Sequence, residues 1–147
     1  MSDSWNGYSG CTRAYGALAE ASDNVSARLK RALEAECGLA IAEFDALVFV
    51  DEQEERGLPL AHLPARLRLS QPAVSRLVER LARRGLISRL GAENDRRSVT
   101  IRLTNDGRDL LGQAIPVHAA CIRDTLLDRL TPDERDALKS ILIKISG

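Results

Sequence analysis

Residues 69–85 read Leu69-Ser70-Gln71-Pro72-Ala73-Val74-Ser75-Arg76-Leu77-Val78-Glu79-Arg80-Leu81-Ala82-Arg83-Arg84-Gly85. Ser70 is a natural N-cap, because its hydroxyl accepts from the unpaired amides of a first helical turn, and Pro72 fits that turn. Gly85 supplies the left-handed C-terminal cap. Between these ends Val74, Leu77, Val78 and Leu81 fall at i, i+3, i+4 and i+7, which predicts one buried face. At roughly 100° per residue, the opposite face carries Pro72, Ser75, Arg76, Glu79, Arg80 and Arg83, so the arginines point outward.

Working outward, Leu60 to Leu67 reads as a short helix separated from this one by Arg68 and Leu69, the spacing of a helix-turn-helix. After Gly85 the period changes from 3.6 to 2. Ile87 to Leu90 reads as one strand, and Val99, Ile101 and Leu103 alternate with Ser98, Thr100 and Arg102 in a second. The polar loop Gly91-Ala92-Glu93-Asn94-Asp95-Arg96-Arg97 joins them, too long for a two-residue turn. Helix-turn-helix followed at once by a hairpin is the winged-helix arrangement, in which the helix enters the major groove and the hairpin reaches a minor groove or the backbone.

The flanks predict helices. Met1 to Gly10 carry Ser, Gly, Asn and Asp with little apolar period and read as a frayed or partner-ordered stretch, so that residues 1–14 are expected to form a flexible tail. Leu18, Val25, Leu29, Ala32 and Leu33 predict a helix from about Tyr15 to Glu36, ended by Gly38; a second runs from about Ala42 to Glu54, closed by Gly57 and Pro59. Thr104 caps a long helix towards Leu130, with Pro116 removing one of its interior hydrogen bonds. Thr131-Pro132-Asp133-Glu134 is a capping box that opens a last helix to about Ile145. These terminal helices show more apolar surface than a small winged helix covers, which predicts a dimer. The expected fold is thus mainly α, a winged helix-turn-helix with a two- to three-stranded β-wing. Residues 15–40 and 104–147 form dimerisation helices, and 41–103 the DNA-binding lobe of one 15–147 domain.

Charge sharpens this. The 147-residue chain is formally neutral, yet between Leu60 and Leu103 ten arginines face only Glu79, Glu93 and Asp95, a segment of +7 that leaves −7 elsewhere. Arginine suits bidentate contacts with phosphate and guanine, so the pattern points to a phosphate-binding surface on an acidic scaffold. A merely solvated charged face is the alternative. No apolar stretch approaches a membrane span and no signal peptide opens the chain, which predicts a cytoplasmic protein.

The runs 69–78, Leu81-Ala82-Arg83-Arg84-Gly85-Leu86-Ile87, Asn94-Asp95-Arg96-Arg97-Ser98 and Leu103-Thr104-Asn105-Asp106-Gly107 closely resemble the multiple-antibiotic-resistance regulator (MarR) family. The resemblance joins a recognition helix, an Asp-x-Arg wing and a Leu-Thr-x-x-Gly helix start, and covers roughly residues 15–145. It implies a homodimeric repressor on a pseudo-palindromic duplex, released by a small ligand, often an anionic or phenolic aromatic compound. By the same resemblance Gln71, Pro72, Ala73, Ser75 and Arg76 face bases and phosphates, Arg80 contacts phosphate and Arg89 meets the backbone. In the wing, Asp95 orients Arg97 for the minor groove, beside Arg96.

Other signals carry less. Cys11 and Tyr15, four residues apart, resemble the peroxide-sensing branch of the same family, giving a redox-sensing repressor as an alternative; the other tyrosines expected of that branch are missing. Cys37 and Cys121 fall among apolar residues and read as small core hydrophobes. His62 and His118 lie in no metal-binding pattern, so neither a metal nor another cofactor is expected. No nucleophile elbow, phosphate-cradling glycine loop or carboxylate pair supports an enzyme. A winged-helix module that binds protein is the competing class, but such modules lack the outward arginines and the Asp-x-Arg wing.

Overall fold

A computed structural model describes residues 3–53, 56–91 and 98–147, apart from the side chains of residues 3–9 and of Cys11. Chain order gives α1 (Asp3–Cys37), α2 (Ile41–Asp51), β1 (Leu58–Pro59), α3 (Leu63–Leu67), α4 (Gln71–Arg83), β2 (Ile87–Leu90), β3 (Thr100–Leu103), α5 (Asn105–Thr125) and α6 (Pro132–Ser146). Single 3-10 turns precede α3 and follow α5. The fold is mainly helical with one small antiparallel sheet, as the periodicity predicts.

Two boundaries differ most from expectation. The segment read as a flexible tail is helical from Asp3, so α1 begins twelve residues before Tyr15. Nothing there forbids it: residues 3–14 hold no proline, and Gly7 and Gly10 lower helix propensity by only about 1 kcal/mol each. The long helix expected to reach Leu130 stops at Thr125, and Leu127–Arg129 tightens into a 3-10 turn before the Thr131 cap.

The chain forms two compact units. One is Leu33–His118; the other joins the chain up to Ala32 with Ala119–Gly147. The first extends past the expected 41–103 lobe because the end of α1, the turn after it and the start of α5 bury Leu33, Leu39, Leu111 and Ala114. Its core further comprises Phe44, Leu47, Val50, Leu58, Leu63, Val74, Leu77, Val78, Leu81, Ile87, Ile101 and Leu103. The sheet order is β1-β3-β2, with Leu58 opposite Ile101 and Arg89 opposite Ile101 from the other side. Strand β1 makes the wing three-stranded. Gly57 enters it at φ +75°, where a Cβ would lie 2.9 Å from the Ile101 carbonyl oxygen, so the strand pairs this closely only because that atom is missing.

In the other unit, α6 opens with the expected reciprocal cap: Thr131 Oγ1 accepts from the Glu134 amide at 3.3 Å, and the Glu134 carboxylate accepts from the Thr131 amide at 2.8 Å. Arg135 Nε donates to the Leu127 carbonyl at 2.8 Å, tying α6 to the preceding turn. Ile141, Ile143 and Ile145 are each more than half exposed on α6. So much open isoleucine surface on one helix is unusual for a monomer.

Candidate nucleic-acid interface

Helix α4 is seated from one side only. Val74, Leu77, Val78 and Leu81 are all at most 2% exposed, while Gln71, Pro72, Arg76, Glu79, Arg80 and Arg83 are exposed and Ala73 and Ser75 half-buried. Ser70 Oγ accepts from the Ala73 amide at 3.4 Å, so the N-cap is made, and Pro72 sits in the first turn. Arg68 closes α3 in the left-handed region at φ 54°, and the Leu69 amide donates to the Pro64 carbonyl at 3.1 Å. That tight corner sets the angle at which α4 leaves α3.

The arginines divide into two groups. Arg66 pairs with Glu52 and lays its guanidinium 4.2 Å from the Phe49 ring centroid, so it fastens α3 to α2. Arg83 pairs with Glu79 one turn earlier at 3.1 Å. Arg80 Nε and Arg84 Nη1 each donate to Glu43 at 3.3 Å. Among the described residues, Arg68, Arg76, Arg89 and Arg102 have no ion pair. Glu43 in α2 and Glu52 at its C-cap lie outside the 60–103 segment, and counting them lowers its +7 to +5. Sequence reasoning missed both, since nothing in their local spacing marks them as partners of residues 14 to 41 positions away.

Strand β2 buries Ile87 and exposes Ser88, Arg89 and Leu90. Between it and α4 lies a groove of about 470 Å³ lined by Ser75, Val78, Glu79, Arg89, Gly91 and Val99 among others, which brings Ser75 and Arg89 to one opening. Gly91 starts the wing loop at φ 127°, a conformation other residues resist, with the Ser98 carbonyl crowding the place of a Cβ. The expected Asp95, Arg96 and Arg97 lie outside the described residues.

Elsewhere, Cys37 and Cys121 are half-buried free thiols. Burial, with a smaller push from Glu36, raises the Cys37 pKa above the ordinary thiol value, the opposite of an activated thiol. The Cys11 side chain lies outside the described set. His118 stacks on Phe44 with centroids 4.7 Å apart, and Asp45 beside them is held above the usual carboxylate range by desolvation, an effect His118 partly offsets. Among the described residues no cluster of His, Cys, Asp or Glu is arranged to hold a metal, and no helix is long and apolar enough to cross a membrane.

A family model described as MarR family matches residues 38–98, from the end of α1 to the wing. Curated relatives extend the match. The chain is 30% identical to the HTH-type transcriptional regulator PecS of Dickeya dadantii over 128 residues, covering 82% of this chain and 75% of that one. The chain belongs to the MarR family. It is also 30% identical over 102 residues to the transcriptional repressor MprA of Escherichia coli, 69% of this chain, but spans only 57% of MprA. Among solved structures, the MarR-family regulator Sco3205 from Streptomyces coelicolor, in complex with DNA, superposes with a TM-score of 0.83 at 25% identity, over 92% of this chain and 88% of that one.

The geometry explains the MarR-type Leu-Thr-x-x-Gly start of α5. Thr104 donates its hydroxyl to the Gly85 carbonyl at 2.6 Å and its amide to the Leu86 carbonyl at 3.1 Å, while its Oγ1 accepts from the Gly107 amide at 3.0 Å. A Cβ at Gly107 would lie 2.0 Å from the Leu86 carbonyl oxygen, so only glycine lets α5 start against this turn. The motif therefore clamps the turn that joins α4 to β2.

Proposed function

We propose that this chain is a double-stranded DNA-binding transcriptional regulator, a homodimeric repressor that sets α4 of each protomer in the major groove of a pseudo-palindromic operator. It acts by binding and not by catalysis, and a small aromatic or anionic effector releases it. The observation that carries this reading is the asymmetry of α4, packed to completion on one face and open on the other, with Arg76 exposed and without an ion pair among the described residues. Gln71, Pro72, Ala73, Ser75 and Arg76 present that open face to base edges and phosphates. Arg80 and Arg89 flank it at the backbone, and Asp95 with Arg96 and Arg97 extends it into the neighbouring minor groove. The exposed isoleucines of α6 support a dimer, and two-fold symmetry is what a palindromic operator requires.

Salt-titrated gel shifts on random duplex, followed by selection of bound sequences, test this. Binding that weakens steeply and linearly on a log–log salt plot, with enrichment of an inverted repeat, is expected. No shift even at low salt would transfer support to the protein-binding class.

A further inference from the structure

Glu43 is the one charged residue buried among the described side chains, and the proposed DNA contacts make no use of it. Its carboxylate gathers three donors. Oε2 accepts from the Ala40 amide at 3.1 Å, which caps α2, and from Arg84 Nη1 at 3.3 Å; Oε1 accepts from Arg80 Nε at 3.3 Å. The carboxylate is 8% exposed, whereas the arginine side chains are 52% and 38% exposed. One buried acid thus holds two arginines one turn apart at the end of α4, Arg80 by its inner nitrogen and its C-cap Arg84 by one terminal amino group. Among the described residues nothing engages the terminal amino groups of Arg80, which lie beyond the atom that Glu43 holds.

We propose that Glu43 is a positioning residue for DNA binding: it fixes the Arg80 guanidinium through Nε, with Arg84 held beside it through Nη1, so that the outer amino groups of Arg80 meet the phosphate backbone. This rests on the DNA reading of α4. A free arginine must give up side-chain freedom on meeting a phosphate, and a guanidinium already fixed through Nε has lost most of that freedom beforehand. The carboxylate is well suited to the task because its own geometry is set by the α2 cap, so α2 defines where Arg80 stands. Simple electrostatics predicts the opposite sign. A negative charge inside a basic surface opposes phosphate, and its removal should tighten binding.

The opposed signs make the test decisive. Glu43→Gln removes the charge but keeps an oxygen that can cap α2, and Glu52→Gln removes a charge from the C-cap of that helix whose partner, Arg66, is already held against Phe49. In equilibrium binding to a selected duplex, Glu43→Gln is expected to weaken affinity about tenfold, the equivalent of one charge-assisted hydrogen bond. Glu52→Gln should leave affinity unchanged or slightly tighter. In a double-mutant cycle with Arg80→Ala, the two losses should be strongly non-additive. Arg80→Lys, which keeps the charge but cannot face both Glu43 and phosphate, should lose affinity even if Glu43→Gln folds poorly. Equal or tighter binding by Glu43→Gln, equal losses at Glu43 and Glu52, an additive cycle, or full affinity in Arg80→Lys would each overturn the proposal. Failure of the unaltered protein to bind any duplex would instead overturn the DNA reading.

Discussion

Replacing Gly107 with alanine sets two well-defined effects against each other. Gly107 lies in the first turn of α5, where helix propensity alone favours alanine by about 0.5–1 kcal/mol. Against this, the new Cβ would stand 2.0 Å from the Leu86 carbonyl oxygen, when real Cβ atoms essentially never come within 3.0 Å. The neighbour is backbone and cannot swing aside, so α5 must retreat by about 1 Å. Overpacking of this kind typically costs about 1–3 kcal/mol. The retreat also stretches the Thr104 bonds to Gly85 and Leu86, 2.6 and 3.1 Å long, each contributing about 1 kcal/mol. Destabilisation wins, by about 2–3 kcal/mol. For a chain of this length that lowers Tm by about 8–12 °C. Gly112, on the same helix with nothing within 4 Å of its missing Cβ, is the internal control: alanine there should raise Tm by about 2–4 °C. Thermal melts by circular dichroism measure both. If Gly107→Ala melts at or above the unaltered protein, the steric account of the Leu-Thr-x-x-Gly motif is wrong.

The remaining predictions concern the interface and the pH dependence of stability. Ser75→Ala and Arg76→Ala should change which sequences are preferred, whereas Arg97→Ala should weaken binding to every duplex alike and reduce the salt slope by about 1; equal losses on specific and random DNA for all three would refute this division. Because burial raises the Asp45 pKa in the fold, the native state disfavours its ionised form, and its contribution to stability falls as pH rises through that value. Asp45→Asn should therefore raise Tm at neutral pH, with the advantage shrinking as acid protonates the native carboxyl. A Tm that is unchanged or lower at neutral pH would count against desolvation as the governing effect.

Much of the lobe was legible because its signals are local. The caps of α4, its buried stripe and the change of period at Gly85 all lie within windows shorter than 20 residues, and each reports on burial through spacing alone. Strand β1 was not legible: two residues, one of them proline, have no period to display, and they count as a strand only because β3 lies beside them. The N-terminal extent of α1 was misjudged since polar composition resembles a tail whether or not the backbone is helical.

For the candidate site the division is similar. By itself the sequence determined which face of α4 is open, since 3.6-residue periodicity sorts Val74, Leu77, Val78 and Leu81 from Ser75, Arg76 and Arg80 before any neighbour is known. Only the tertiary structure decided what the arginines do. Glu43 reaches Arg80 and Arg84 across 37 and 41 residues of chain, and Glu52 reaches Arg66 across 14. A count of charges along the chain treats every arginine alike. Folding separates them, because an ion pair depends on distance in space, and bringing α2 against α4 places one buried carboxylate where it holds two of the ten.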